Sequence, residues 1–369
     1  MHAPKIGSYK VPEKSIAQVR KYWLSLAFFF GFIVDNFTLN RVDQVFDNVI
    51  LFSYVVLAMA SLLVLYAGVA GKLPEKYLDR AKRYAPLAVQ FAFGGLLSGM
   101  LIFYSRSGSW FESWPFLLII VLVIYGNETI TNRAQRLIYN LNILFIGLFS
   151  YVVLVIPVLT GKMGPWVFVG SGLLALFIMY QFMRLLHKII PKYMALQERV
   201  IVFTLGFVFC FLNLLYFTNV IPPIPLSLKD AGIYHDVVRL ENGDYELTHE
   251  DGAWWQFFKD SDDTFHPDKG RAVHCYASVF APTKLATDIY HRYERFDDER
   301  DEWVTHGDRI SYRIEGGRDG GFRGYTFIEN YEDGEWRCTV ETNRGQVLGR
   351  STFEIDSTES GRELVTRVE

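Results

Sequence analysis

Two hydrophobic periods divide this chain. Up to about residue 221, apolar residues come in long runs: Tyr22–Leu39, Val49–Ala70, Ala85–Tyr104, Trp114–Tyr125, Ile138–Leu159, Trp166–Leu186 and Val200–Val220. Six of these are close to the ~20 residues that cross a ~30 Å hydrocarbon core as helix. The fourth has a short apolar part and spans only if Ser107–Ser113, with Glu112, lies at the interface. Beyond Asn219-Val220-Ile221-Pro222-Pro223-Ile224-Pro225 the period becomes two, as in strands. In Arg271–Ala281, Val273, Cys275, Ala277 and Val279 share one face, and His274, Tyr276, Ser278 and Phe280 the other. Trp336, Cys338 and Val340 alternate likewise with Arg337, Thr339 and Glu341, and 308–314 and 346–355 behave similarly. Asn242-Gly243, Asp333-Gly334 and Arg344-Gly345 mark turns. The pattern predicts a membrane bundle of seven transmembrane helices followed by an all-β domain, a small antiparallel sandwich of the Ig-like kind. The divisions fall at a tail of residues 1–21, the bundle 22–221, a stiff Pro-rich linker 222–232 and the β domain 233–369.

Charge gives this division a direction. Residues 1–225 hold 19 Lys and Arg against 9 Asp and Glu, whereas residues 226–369 hold 18 against 31. Sixteen of the first 19 cations cluster in the tail and in the connections after runs two, four and six; Arg41, Arg106 and Lys162 are alone in the other three. Such a split places the N-terminus in the cytoplasm. Dropping run four would break the alternation, so seven spans fit best. An odd count puts the β domain across the membrane, in the periplasm of a bacterium with two membranes. The first 21 residues do not read as a cleaved signal peptide, because no small-residue site follows the apolar run. Trp110, Trp114 and Trp166 fall at expected outer boundaries, where indoles prefer to sit.

Within the membrane half the sharpest candidate is Asp35, supported by Arg41 and Asp43. An intramembrane carboxylate faces a partner or a cavity, which would make a proton or cation site. Alternatively Asp35 lies near the outer interface, hydrated or paired with Arg41. Gln90, Asn140, Asn142, Gln181 and Asn213 suit bonds between helices. Gly94-Gly95, Ser98-Gly99, Gly170 and Gly172 suit close packing. Neither broken helices with paired internal charges nor a deep histidine marks a transporter or an intramembrane hydrolase.

In the acidic half, Cys275 and Cys338 point inward on different strands, and a disulfide or two buried thiols are both open. Cys210 lies in an apolar run as a small hydrophobe. His235, His249, His266, His274, His291 and His306 show no metal-ligand spacing, and they read as scattered surface residues. Trp254-Trp255 with Phe257-Phe258 stacks on sugars, touches the membrane or forms core. The stretch Gly316–Gly324 lacks the Lys-Ser/Thr ending of a phosphate loop and reads as a hairpin presenting Arg318 and Arg323. With His291 these form a candidate binding surface. The run Asp297–Glu302 is a solvated turn. No metal or cofactor is expected, and an acidic exposed domain argues against nucleic acid.

Several blocks carry a resemblance: GFIVDNFTLNRVD (31–43), Gly94–Trp110 with SWPFLL (113–118), NVIPPIPLSLKDAGIYH (219–235), VFAPTKL (279–285), HRYE (291–294) and GEWRCTVETNRGQVLGRSTFEI (334–355). Together these resemble bacterial multi-span membrane proteins that end in a domain of unknown function, the family numbered 2914. His291, Trp336 and Arg337 match its recurring pattern, while Tyr293 stands where the family more usually has Trp. The resemblance implies an inner-membrane protein and supplies no catalytic residue. Two functions follow. In the first, the periplasmic sandwich binds an envelope polymer or a periplasmic protein. In the second, the bundle is a membrane transporter or a lipid-processing enzyme that uses Asp35 in the first span, with the sandwich as accessory.

Overall fold

The computed structural model describes residues 32–33, 35–39, 41–108, 110–129, 136–251, 261–267, 271–282, 284–317, 320–358 and 362–369. The tail, most of the first apolar run, the Trp254–Phe258 cluster and Arg318 lie outside the described residues. Among the described residues, six long helices are α1 (Val45–Val69), α2 (Glu75–Arg106), α3 (Trp110–Thr129), α4 (Leu137–Thr160), α5 (Pro165–Ile189) and α6 (Pro191–Phe217). A helical piece around Asp35 precedes them. Five of the six are long and apolar enough to cross a membrane; α3 has the shorter apolar stretch Ser113–Asn127.

Local chemistry sets the helix ends. Pro165 and Pro191 open α5 and α6, where a missing N–H costs nothing. His187 and Lys188 close α5 against its negative C-terminal dipole. Helix α4 stops at Gly161, whose φ of 67° is left-handed. Gly95 gives α2 a close approach to α1: a Cβ there would meet the Tyr54 ring at 2.5 Å. Gly172 does the same for Phe149 and Phe209, whereas a Cβ on Gly170 would meet nothing within 4 Å. The packing role expected of that glycine pair therefore belongs to Gly172 alone. Asn140 donates to Tyr66 Oη at 2.9 Å and Asn142 to Thr204 Oγ1 at 2.9 Å, so both tie helices together as expected of amides. Outward faces carry Phe91, Phe177, Phe203 and Phe207, all exposed, as an apolar solvent would require.

After the bundle come β1 (Ser227–Tyr234), β2 (Asp236–Arg239), β3 (Tyr245–Glu250), β4 (Thr264–Phe265), β5 (Val273–Phe280), β6 (Ala286–Asp297), β7 (Glu302–Thr305), β8 (Ile310–Glu315), β9 (Phe322–Ile328), β10 (Gly334–Thr342), β11 (Val347–Ile355) and β12 (Leu364–Val368). They form three sheets, in the orders β1-β5-β9, β4-β11-β10-β6-β7 and β12-β3-β2, with β8 also on β6. All pairings are antiparallel except β4 with β11. Ile233, Phe265, Val273, Tyr293, Trp336 and Phe353 fill one core between the first two sheets. Cys275 and Cys338 lie in that core with their sulfurs bonded, the Cα atoms 6.5 Å apart.

Both faces of β5 are buried, although its sequence alternates. Ala277 and Val279 enter the core beside Leu285 and Val340. On the opposite face Tyr276 packs with Tyr234, Tyr245 and Leu247 beneath the third sheet, and Phe280 joins the core of the helix bundle. The linker is shorter than expected, because β1 starts at Ser227 rather than at 233. A register shift between Leu228 and Asp230 hides its alternation from a two-residue reading. Ile221–Leu226 are buried against the helix ends, and Gln346 Nε2 donates to Ile221 O at 3.1 Å.

Candidate functional site: a charged sheet face and a junction cleft

The connections that carry Arg41, Arg106 and Lys162 all lie at the end of the bundle that meets the sheets. Ser227 Oγ donates to Arg106 O, and the Arg344 guanidinium lies over the Tyr216 ring at 4.1 Å. A Cβ on Gly161 would meet Lys284 O at 2.5 Å. At the far end Lys72 Nζ donates to Lys188 O at 2.7 Å.

The expected trio Asp35, Arg41 and Asp43 separates into two places. Asp35 is buried and accepts from Tyr54 Oη at 3.3 Å. Arg41 instead grips Asp43 through Nε at 3.0 Å and Nη2 at 2.7 Å. Its backbone N–H donates to Asp47 Oδ2 at 2.9 Å, and its guanidinium lies 4.8 Å from the centroid of Phe280 of β5. Arg106, at the end of α2, donates to Leu39 O at 2.7 Å and to Asn36 O at 3.1 Å, fixing the turn that carries Arg41. Above this turn opens a cleft of about 860 Å³ between helix ends and sheets, lined by Arg41, Arg106, Lys229 and Arg350 among others; Asp35 is not in its lining.

A second polar cluster covers the open face of the six-stranded sheet. Strand parity puts Arg292 and Glu294 of β6 beside Arg337, Thr339 and Glu341 of β10 on the face opposite Trp336 and Cys338. Glu294 accepts from Arg337 Nε at 2.7 Å and Nη2 at 3.0 Å, from Arg292 Nη1 at 2.9 Å and from Thr339 Oγ1 at 3.0 Å. Glu341 takes Arg292 Nη2 and Arg309 Nη1, each at 3.0 Å. Both carboxylates are only 2 % exposed. Burial alone would raise the Glu294 carboxyl, but the hydrogen bond from Arg337, the charge of Arg292 and the Thr339 hydroxyl hold it below the usual range. Aromatic rings back the guanidiniums: Arg337 lies 4.3 Å from the Trp303 centroid and Arg309 4.9 Å from Tyr290. The result is a row of flat cations held in place by buried anions.

The histidines are not all on the surface. His235, His266 and His291 are buried. His235 Nε2 and His266 Nδ1 both approach Glu250, at 3.1 and 2.8 Å. Burial opposes ionisation of Glu250, yet bonds from both rings and from the His266 N–H hold its carboxyl near a pKa of about 2. His291 corrects the expected binding surface: it is fully buried between Thr326 Oγ1 at 2.9 Å and Tyr312 Oη at 3.2 Å, and burial lowers its pKa to about 3. Parity explains this, since His291 shares the inward face of β6 with Tyr293. Although His291 lies beside Cys275 and Cys338, those sulfurs are spent on each other. Arg323 belongs to another sheet and pairs with Asp244 at 3.0 Å. The residues missed by sequence reading are Arg292, Glu294, Arg309 and Glu341. For all but Arg309 the signal was the charge alternation in HRYE and in RCTVE, legible once β6 and β10 are known to pair.

Residues 286–355 match the family described as "Protein of unknown function (DUF2914)". That segment runs from the start of β6 to the end of β11 and contains the whole Arg–Glu cluster. No curated protein matches the chain. Among solved structures, Pseudomonas fluorescens alkylpurine DNA glycosylase AlkC, bound to DNA containing an abasic site analog, matches at 9 % identity. The match covers 86 % of this chain and 99 % of that one with a TM-score of 0.18, and so carries no argument.

Proposed function

We propose that this is a bacterial inner-membrane protein of seven spans, N-terminus in the cytoplasm, whose periplasmic Ig-like β-sandwich binds an anionic envelope polymer or periplasmic protein. The observation that carries the binding role is the row Arg337, Arg292 and Arg309 on the open face of the family-matched segment. Guanidiniums kept flat by buried carboxylates and by stacked rings lose little freedom on meeting a carboxylate or phosphate, which they take bidentately. The topology rests on the charge split, and it agrees with the sheets standing at the cation-poor ends of the helices.

The test is co-sedimentation of the full-length, detergent-solubilised protein with isolated cell-wall sacculi. Arg309 is 38 % exposed, so Arg309→Gln leaves the fold intact and lowers the bound fraction several-fold. Unchanged sedimentation refutes the envelope-polymer reading. Burial of the Asp35 carboxylate beside Tyr54 favours a second reading, in which the bundle moves or processes a membrane substrate. Loss of cellular function in Asp35→Asn, with function kept in Arg309→Gln, would select it.

A further inference from the structure

We propose that the junction cleft binds the phosphate-bearing headgroup of a membrane phospholipid, a site separate from the charged sheet face. Its roughly 860 Å³ is the size of a small-molecule pocket and far exceeds a lone phosphate ion. Its walls differ by origin. The helix side offers Val42, Phe103 and Leu154, and the sheet side brings Lys229 and Arg350, with Arg41 and Arg106 at the turn between. An apolar floor beneath a cationic roof fits an amphiphile rather than a fully water-soluble anion.

The local carboxylates cancel only part of this roof. Asp43 neutralises Arg41, whereas Asp230 is held by Arg367 at 3.0 Å. Asp47 accepts the Arg41 N–H and adds its charge near Arg106. Arg106 directs its guanidinium to the neutral oxygens Leu39 O, Asn36 O and Asn36 Oδ1. Lys229 is exposed, its Nζ 5.7 Å from the Phe280 centroid, and it forms no ion pair among the described residues. Position supplies the lipid. The cleft sits level with the ends of α2 and α4, and the helical piece that contributes Asn36 also exposes Ile33 and Phe37. A lipid can therefore slide in from the bilayer, its chains along this apolar flank and its phosphate among the cations.

Native mass spectrometry of the full-length protein, released from detergent with added phosphatidylglycerol or phosphatidylcholine, tests the proposal. The expected result is one phosphatidylglycerol retained per chain in preference to phosphatidylcholine. Lys229→Gln and Arg350→Gln should each weaken retention roughly fivefold, as loss of one cation near an anionic headgroup implies. Lys229→Arg should restore it. Equal retention of both lipids, or wild-type retention in Lys229→Gln, overturns the proposal. Displacement of the lipid by millimolar inorganic phosphate alone also overturns it, assigning the cations to a soluble anion. Because Lys229 is exposed, its variants keep the fold, and the comparison does not depend on the wall-binding result.

Discussion

Replacing Glu294 by Gln keeps the side chain's shape and removes the charge on which two guanidiniums converge. Four donors reach this carboxylate within 3.0 Å: two from Arg337, one from Arg292 and one from Thr339. A Gln oxygen can serve part of that set, while its amide hydrogens must face donors. Removing one member of a fully buried pair costs about 3–5 kcal/mol. Here Arg337 and Arg292 keep 17 % and 25 % side-chain exposure, so water relieves part of the loss and about 2–3 kcal/mol is expected. The assay is urea unfolding of the full-length protein in detergent, followed by tryptophan fluorescence from the buried Trp336. A cycle with Arg337→Gln should show coupling of about 1–2 kcal/mol, because the two residues share one network. The deficit should also shrink in acid. The folded carboxyl lies below its ordinary 4.5, so its contribution is complete above that pH and fades as pH falls through the lowered value. Strict additivity of the two substitutions, or a deficit unchanged in acid, would refute the account of a charge-locked row.

Three further outcomes follow from other parts of the fold. His291 has a folded pKa of about 3 against an ordinary 6.5, so the unfolded chain binds the extra proton first. Stability should drop by about 2 kcal/mol from pH 6.5 to pH 5, and His291→Gln should flatten that slope in pH-dependent urea titrations. The Cys275–Cys338 link closes a separation of 63 residues, worth about 4 kcal/mol by the loop-entropy estimate. Reductant should therefore lower the unfolding midpoint in wild type and in Cys210→Ala but not in Cys275→Ala/Cys338→Ala; a midpoint indifferent to reductant counts against the bond. Gly95→Ala drives a methyl into the Tyr54 ring and should cost about 1–3 kcal/mol, whereas Gly170→Ala meets open space and should be neutral or stabilising by up to about 1 kcal/mol. Thermal melts in detergent compare the two, and equal effects would contradict the packing of α2 on α1.

Much of the architecture was legible because it rests on local periods. Apolar runs gave helices at α1, α2, α4, α5 and α6, and alternation placed β5, β8, β10 and β11 to within a few residues. Other strands escaped for identifiable reasons. The irregular register in β1 breaks its period, β2 and β7 have four residues each, and β6 alternates charge as often as polarity. His291 was misread because a histidine's side of a strand is set by its neighbours' parity, not by its own chemistry.

The sequence alone determined that an apolar, cation-flanked half precedes an acidic, strand-forming half, since both follow from composition and short-range period. It also singled out Asp35 as a carboxylate in an apolar run, and Cys275 and Cys338 as inward-facing residues on different strands. Tertiary structure decided which of those residues meet. Glu294 and Arg337 are 43 positions apart and become neighbours only through the β6–β10 register. Lys229 and Arg350 line one cleft with Arg41 and Arg106 only because the sheets dock on the helix ends. Long-range pairing carries no periodic trace along the chain, because each strand's own pattern is satisfied by any partner of matching face.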